Sequence, residues 1–335
     1  MKIVFFGGDK QWEAEEIKKR LFGQELLFID KTVNKSDLTK VADADIVSIF
    51  VDSKLGEVEF AKLPNVKLIA ARSTGYDHID LASAKAHGIA VVNVPTYGEN
   101  TVAEYAFALL LCLSRKVYEA IERVRNTGSF SQAGLEGFDL MGKTLGVVGT
   151  GHIGLHAIKI GKGFGMNVIA FDVKQNTEEA TKLGFLYVSM DELLAQSDIV
   201  TLHAPYNPHT HHMMGKEQFA KMKKGAYLVN TARGGLVDTE SLVLAIKEGR
   251  LAGAALDVLE GESDIKDDSA LLASAHPDEL RLKLLEENRY LMKNPRVLIA
   301  PHNAFNTREA ITRILEVTVQ NIEAFTAGTP INVVP

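Results

Sequence analysis

Short apolar runs alternate with longer amphipathic stretches along nearly the whole chain. Over the first hundred residues the runs are Ile3-Val4-Phe5-Phe6, Leu26-Leu27-Phe28-Ile29, Ile46-Val47-Ser48-Ile49-Phe50, Leu68-Ile69-Ala70 and Ala90-Val91-Val92-Asn93. Their length and their β-branched and aromatic content predict buried strands. Gln11 to Phe22 reads as a helix, with Trp12, Ile17 and Leu21 on one stripe. Gly7-Gly8-Asp9 lacks a third glycine and reads as a plain strand-to-helix turn. Strands alternating with helices predict a parallel sheet covered on both faces.

A long helix is predicted from Thr101 to Val124. Pro95 precedes it, and Gly98, Glu99 and Asn100 supply a turn and a cap. Ala103, Tyr105, Ala106, Leu109, Leu110 and Leu113 make it apolar on more than one side, which suits deep burial or a shared subunit interface. After the polar connection Gly128 to Met141, strands resume at Leu145–Val148, Asn167–Phe171, Asp198–Leu202, Tyr227–Asn230, Gly253–Val258 and Val297–Ala300. The last helix is predicted from Arg308 to Ala327. Behind it, Ile331–Val334 is expected to rejoin the N-terminal sheet. The charged segment Ser263 to Asn294 is helical in pattern and receives no role.

At 335 residues the chain exceeds one comfortable core, so two domains are expected. The net charge of −6 and the lack of a long basic run argue against a nucleic-acid partner. The single cysteine, Cys112, lies in an apolar run and reads as a buried small residue. One cysteine allows no disulfide within a chain, which fits a reducing compartment. No run approaches a membrane span, and the N-terminus lacks the apolar core of a signal peptide. A cytoplasmic protein with no membrane partner is expected.

The chemistry begins at Gly149-Thr150-Gly151-His152-Ile153-Gly154, directly behind the strand Leu145–Val148 and opening a helix from Leu155 to Gly163. The first glycine permits a tight turn, the second a close approach to a pyrophosphate, and the third the packing of helix on strand. Free N–H groups at the helix start favour the phosphates. The next strand ends at Asp172, eighteen residues past the last glycine, where a ribose-binding acid belongs. The context predicts a dinucleotide site.

Later strands also end in polar residues: His203, Thr231-Ala232-Arg233, Asp257 and Pro301-His302. Ligands of open parallel sheets bind outside the carboxyl ends of the strands, so these residues are expected to converge. Arg233 has a donor fork suited to a carboxylate or a polarised carbonyl. His302 suits proton exchange in a hydroxyl/carbonyl interconversion, and Glu262 would orient its ring. The run His209, His211 and His212 has no carboxylate or cysteine beside it. It reads as a solvated loop, and no metal is expected.

The chain resembles the D-2-hydroxyacid dehydrogenase family, most closely its D-lactate dehydrogenase branch. The matching stretches are Arg72–Asp80, Asn93–Tyr97, Val102–Tyr105, the Gly149–Gly154 loop, Thr231–Gly234, Asp257–Glu262 and Pro301–Phe305. The resemblance implies an α/β fold of two doubly wound parallel sheets. A Rossmann-type NAD domain, residues 100–299, would be inserted into a flavodoxin-like substrate domain made of 1–99 and 300–335. It implies a catalytic triad of Arg233, Glu262 and His302, and a homodimer through helix 101–124. Ser73, Thr74 and Gly75 would receive the substrate carboxylate, and Tyr97 and Phe305 would line the pocket. NAD would be held by Gly149, Gly151, His152, Ile153, Gly154 and Asp172, with His203, Ala204, Pro205 and Thr210 on the adenine side. Thr231, Ala232 and Asp257 would hold the nicotinamide end. The implied activity is NADH-dependent reduction of a small 2-keto acid, with pyruvate foremost. Branched 2-keto acids, hydroxypyruvate and glyoxylate are the alternatives, and an NAD-responsive corepressor the remote one. Asn303, where a hydroxyl residue is common, and the long segment between Glu262 and His302 depart from the lactate pattern.

Overall fold

The computed structural model describes residues 1–7, 11–262, 265 and 278–335. Contacts divide it into two units, Met1–Tyr97 with Asn306–Pro335, and Gly98–Phe305. The turn residues Gly8 and Asp9, and residues 263, 264 and 266–277 of the charged segment 263–294, lie outside the described residues.

The first unit is built on five parallel strands: β1 Lys2–Phe6, β2 Glu25–Ile29, β3 Ile46–Ile49, β4 Leu68–Ala71 and β5 Ala90–Val92, in the order β2-β1-β3-β4-β5. This is the flavodoxin-like order. Val4, Phe6, Val47, Ile49 and Ile69 are buried in one core with Phe60 and Leu63, which explains the continuous apolar runs. Helix α1 spans Gln11–Arg20. The chain's last helix, Arg308–Thr326, packs in this unit, with the Arg308 guanidinium 4.6 Å from the Trp12 ring centroid. The tail rejoins the sheet as expected, but as an isolated antiparallel bridge, Val92 to Val333, rather than a strand. Asn321 secures it: its amide donates to Asn93 O (2.8 Å), and its Oδ1 accepts from Asn332 Nδ2 (2.8 Å).

The second unit carries seven parallel strands: β6 Thr144–Val148, β7 Asn167–Phe171, β8 Leu186–Tyr187, β9 Ile199–Leu202, β10 Ala226–Asn230, β11 Leu251–Leu256 and β12 Val297–Ile299. Their order, β12-β11-β10-β9-β6-β7-β8, reverses direction at β6, as in Rossmann sheets. The glycine loop follows β6 and so stands at the switch point.

Two expectations change. The helix predicted over 101–124 is two helices, Glu99–Arg115 and Val117–Thr127, separated by Lys116 at φ +50°. The apolar pattern continues through the break, but tertiary contacts end the first helix. Ser114 O accepts from Phe138 N (2.9 Å), where the chain crosses at Gly137 so closely that a Cβ would lie 2.2 Å from that oxygen. The boundary expected between 299 and 300 lies instead after Phe305. Residues 302–304 are bonded through their main-chain N–H groups to Asp257, which keeps them with the second unit.

Candidate active site

Gly149 leaves β6 at φ +93°, a conformation open to glycine, and its N–H donates to Phe171 O (2.8 Å). A Cβ at Gly154 would lie 2.0 Å from Gly149 O, so the helix His152–Gly163 closes directly onto the turn. Gly151 differs. A Cβ there would meet nothing within 4 Å, so no protein contact calls for its small size. His152 is exposed and Ile153 half-buried at the start of the helix, whose first N–H groups have no intrahelical partner. Main chain open to approach and a helix N-terminus together fit a pyrophosphate.

Asp172 lies just past β7 and reaches back to this turn. Its Oδ2 accepts from Thr150 N (2.6 Å) and Thr150 Oγ1 (3.1 Å), and its Oδ1 from Lys174 N (2.8 Å). Thr150 Oγ1 is also 2.8 Å from Tyr187 OH, on the β8 strand that the apolar pattern did not reveal. Gly149 further abuts the loop after β9, since a Cβ would lie 2.8 Å from His203 O and Ala204 N. Desolvation pushes the His203 imidazole down to about 4, so it is neutral at pH 7. Its Nε2 is 3.0 Å from Thr201 Oγ1. Thr210 closes its own loop, donating from Oγ1 to Pro205 O (2.7 Å). At the end of β10, Thr231 Oγ1 is buried with no hydrogen-bond partner among the described residues, while Ala232 N donates to Asn230 Oδ1 (3.0 Å). An orphaned buried hydroxyl after β10 and an open glycine turn after β6, both at strand ends of one sheet, fit a polar cofactor.

The candidate triad lies on the loops after three adjacent strands, β10, β11 and β12. Arg233 follows β10. Its Nη1 donates to Ala232 O (2.9 Å), and its carbonyl accepts from Asn230 Nδ2 (2.9 Å). The next residue, Gly234, packs onto the loop after β11 so tightly that a Cβ would be 2.0 Å from the Leu259 carbonyl carbon. That loop carries Glu262, whose Oε1 accepts from Leu259 N (3.1 Å) and whose Oε2 is 3.1 Å from His302 Nδ1. With Nδ1 on the carboxylate, Nε2 is the nitrogen left to face a reactant.

His302 has φ +53°, an uncommon conformation for a residue with a side chain. Asp257 holds it there. Its carbonyl accepts from His302 N (2.7 Å), and its carboxylate accepts from Asn303 N and Ala304 N (2.8 Å each). Asp257 is 1% exposed, and burial raises its pKa against those two donors. Both of its oxygens therefore bind protein main chain. They fix the His302 loop, a role that the sequence pattern does not disclose.

In the other unit, Ser73 Oγ donates to Gly75 O (2.6 Å) and Thr74 Oγ1 to Val94 O (2.8 Å). These hydroxyls are engaged internally, and the turn presents main chain. Tyr97 O accepts from Arg313 Nε (2.5 Å). The histidine run also differs from expectation. The carboxylate missing from its own loop is supplied by Glu260, whose Oε1 is 2.7 Å from His212 Nε2.

The model of the D-isomer specific 2-hydroxyacid dehydrogenase NAD-binding domain matches residues 107–304. The D-lactate dehydrogenase of Escherichia coli K12 is 35% identical over 332 residues, covering 98% of each chain. A crystal structure of D-lactate dehydrogenase from Aquifex aeolicus, complexed with NAD and lactic acid, superposes with a TM-score of 0.85. It is 35% identical and covers 98% of this chain and 96% of that one. A D-2-hydroxyisocaproate dehydrogenase superposes with a TM-score of 0.80 at 29% identity, covering 100% of this chain and 99% of that one. The chain belongs to the D-2-hydroxyacid dehydrogenase family and is an NAD-dependent enzyme of that family.

Proposed function

We propose that this enzyme reduces pyruvate to D-lactate with NADH. The observation that carries the reading is the paired Glu262 and His302, 3.1 Å apart, with the histidine main chain fixed by Asp257. Nε2 of the charged His302 donates the proton to the substrate oxygen, and Glu262 stabilises the charged ring. The guanidinium of Arg233 polarises the carbonyl and stabilises the negative charge developing on it. NADH, when bound, supplies the hydride. The main chain of Ser73, Thr74 and Gly75 receives the substrate carboxylate, and Tyr97 and Phe305 limit the side-chain pocket. The loop glycines, His152, Ile153, Asp172, the 203–205 segment, Thr210, Thr231 and Ala232 are assigned to the cofactor.

Likeness to D-lactate dehydrogenases at 35% identity supports pyruvate, while the likeness to a D-2-hydroxyisocaproate dehydrogenase sets the alternative to test. Initial rates with NADH against pyruvate, 2-ketobutyrate, 2-ketoisocaproate, hydroxypyruvate and glyoxylate decide it. The highest kcat/KM is expected for pyruvate, and a higher value for 2-ketoisocaproate overturns that substrate assignment. We also propose a homodimer in the cytoplasm. No helix among the described residues is long and apolar enough to cross a membrane. The helix Val117–Thr127 buries none of its residues within the chain and exposes Val117, Tyr118, Ile121 and Val124, a face suited to a second copy. Sedimentation equilibrium tests the dimer, and a monomer at assay concentration overturns it.

A further inference from the structure

Outside the dehydrogenase site, the described residues include one cluster with metal-ligand chemistry. His211, His212 and Glu260 each offer one donor atom, and the three atoms lie within 4.8 Å of one another. We propose that they form a binding site for a divalent transition-metal ion of the Zn²⁺ class.

The donor set is two imidazole nitrogens and one carboxylate oxygen. It suits Zn²⁺, Co²⁺ or Ni²⁺ better than the oxygen-seeking Mg²⁺ and Ca²⁺. The backbone brings the two rings together. Consecutive side chains of an extended segment point to opposite faces. His212 instead has φ +52°, with its N–H bonded to Gly235 O (2.8 Å). The rings of His211 and His212 stack with centroids 3.7 Å apart.

Each ligand also has support behind it. His212 Nδ1 faces Asp238 Oδ2 at 3.5 Å, and His211 Nδ1 is 3.1 Å from Tyr206 OH. A carboxylate behind one ring nitrogen orients the ring and leaves the other nitrogen to the metal. That nitrogen of His212 is 2.7 Å from Glu260 Oε1, so a metal ion bound by both atoms would take the place of this contact. Glu260 Oε2 accepts from Thr239 Oγ1 (3.0 Å), and Glu260 O accepts from the buried Asn288 Nδ2 (2.9 Å). Three protein ligands leave a fourth position for water. The bound ion links the loop after β9 to the loop that carries Glu262, and it stabilises the fold by mass action.

The test is titration of metal-free, full-length protein with ZnCl₂, read by calorimetry and by thermal unfolding. It uses wild type and the variants His211→Ala, Glu260→Gln and His302→Ala. Wild type is expected to bind one ion per chain and to unfold at a higher temperature with Zn²⁺ than without. His211 is exposed, so His211→Ala should keep the metal-free unfolding temperature while weakening binding by about tenfold or more. Glu260→Gln should also weaken binding, whereas His302→Ala should retain it. With Co²⁺ the wild type should show visible d–d bands that fade in His211→Ala. Absence of saturable binding in wild type overturns the proposal. So does binding that survives in His211→Ala and is lost in His302→Ala, which would place the ion at the Glu262–His302 pair. None of these readouts depends on turnover, so they stand apart from the substrate assignment.

Discussion

Replacing Asp257 with asparagine separates a positioning role from a cofactor role. The carboxylate accepts Asn303 N on one oxygen and Ala304 N on the other, each at 2.8 Å. An amide keeps one acceptor and turns an NH₂ group toward the second N–H. Hydrogen bonds to a charged group are worth about 1.5–3 kcal/mol, and an orphaned buried donor costs about 1–3 kcal/mol. Removing a buried charge whose desolvation already raises its pKa offsets part of this. The net loss of stability should be about 1–3 kcal/mol. Holding His302 in the left-handed region costs about 1–2 kcal/mol, a similar size. The weakened anchor therefore lets His302 relax toward ordinary backbone and carries its ring away from Glu262. General acid catalysis contributes about 10²–10⁴-fold, so kcat for keto-acid reduction should fall by about 10²-fold or more. NADH affinity, read by fluorescence titration, should change little, and urea unfolding should report the stability loss. A normal kcat combined with weaker NADH binding would refute the positioning role and return Asp257 to the nicotinamide.

His302→Ala should lower kcat by about 10²–10⁴-fold while leaving the NADH dissociation constant nearly unchanged; near-normal turnover across a pH series rules His302 out as proton donor. Asp172→Ala should reduce the NADH-over-NADPH preference in kcat/KM by about tenfold, because a carboxylate there repels a 2′-phosphate; an unchanged ratio counts against the ribose assignment. Phe305→Ala should shift preference toward longer 2-keto acids by about 1–3 kcal/mol; unchanged specificity ratios with a large fall in unfolding temperature would mark Phe305 as a packing residue instead. His203 titrates near 4 in the fold and near 6.5 unfolded, so only the unfolded chain gains that proton between these values, and stability falls as pH drops from about 6.5 to 4. His203→Gln should remove about 2–3 kcal/mol of that acid-side loss, and identical pH–stability curves for the two proteins would contradict it.

Apolar runs made most of the strands legible, because strands covered on both faces of a parallel sheet read as near-continuous apolar runs. β8 escaped, since two residues at a sheet edge, one of them the exposed Leu186, show no periodicity. The break at Lys116 escaped for a different reason. Nothing local forbids helix there, and the cause is Gly137, twenty-one residues later, crossing the Ser114 carbonyl. The glycine loop and Asp172 were readable because they depend on one turn and the two strands beside it. The partners of Asp257 and His212 were not. They lie 46 and 48 residues away in the chain, and only the sheet order brings them together.

The geometry around His302 is set largely by one neighbouring segment. Asp257 fixes its main chain, and Glu262, five residues later on the same loop, fixes its ring. The residues between them are themselves restrained. Leu259 N holds Glu262 Oε1, while Glu260 is bonded through its carboxylate to His212 and Thr239 and through its carbonyl to Asn288. The backbone at Leu259 also has Gly234 pressed against it, immediately behind Arg233. Any displacement of Leu259 therefore moves the N–H that orients Glu262, and the same contact relays it to the residue beside Arg233. A proton donor and a carbonyl-polarising group must keep a fixed separation from one reacting oxygen, within fractions of an ångström. The loop 257–262 supplies that rigidity through hydrogen bonds and close packing rather than through an apolar core, which is why the strand pattern alone did not disclose it.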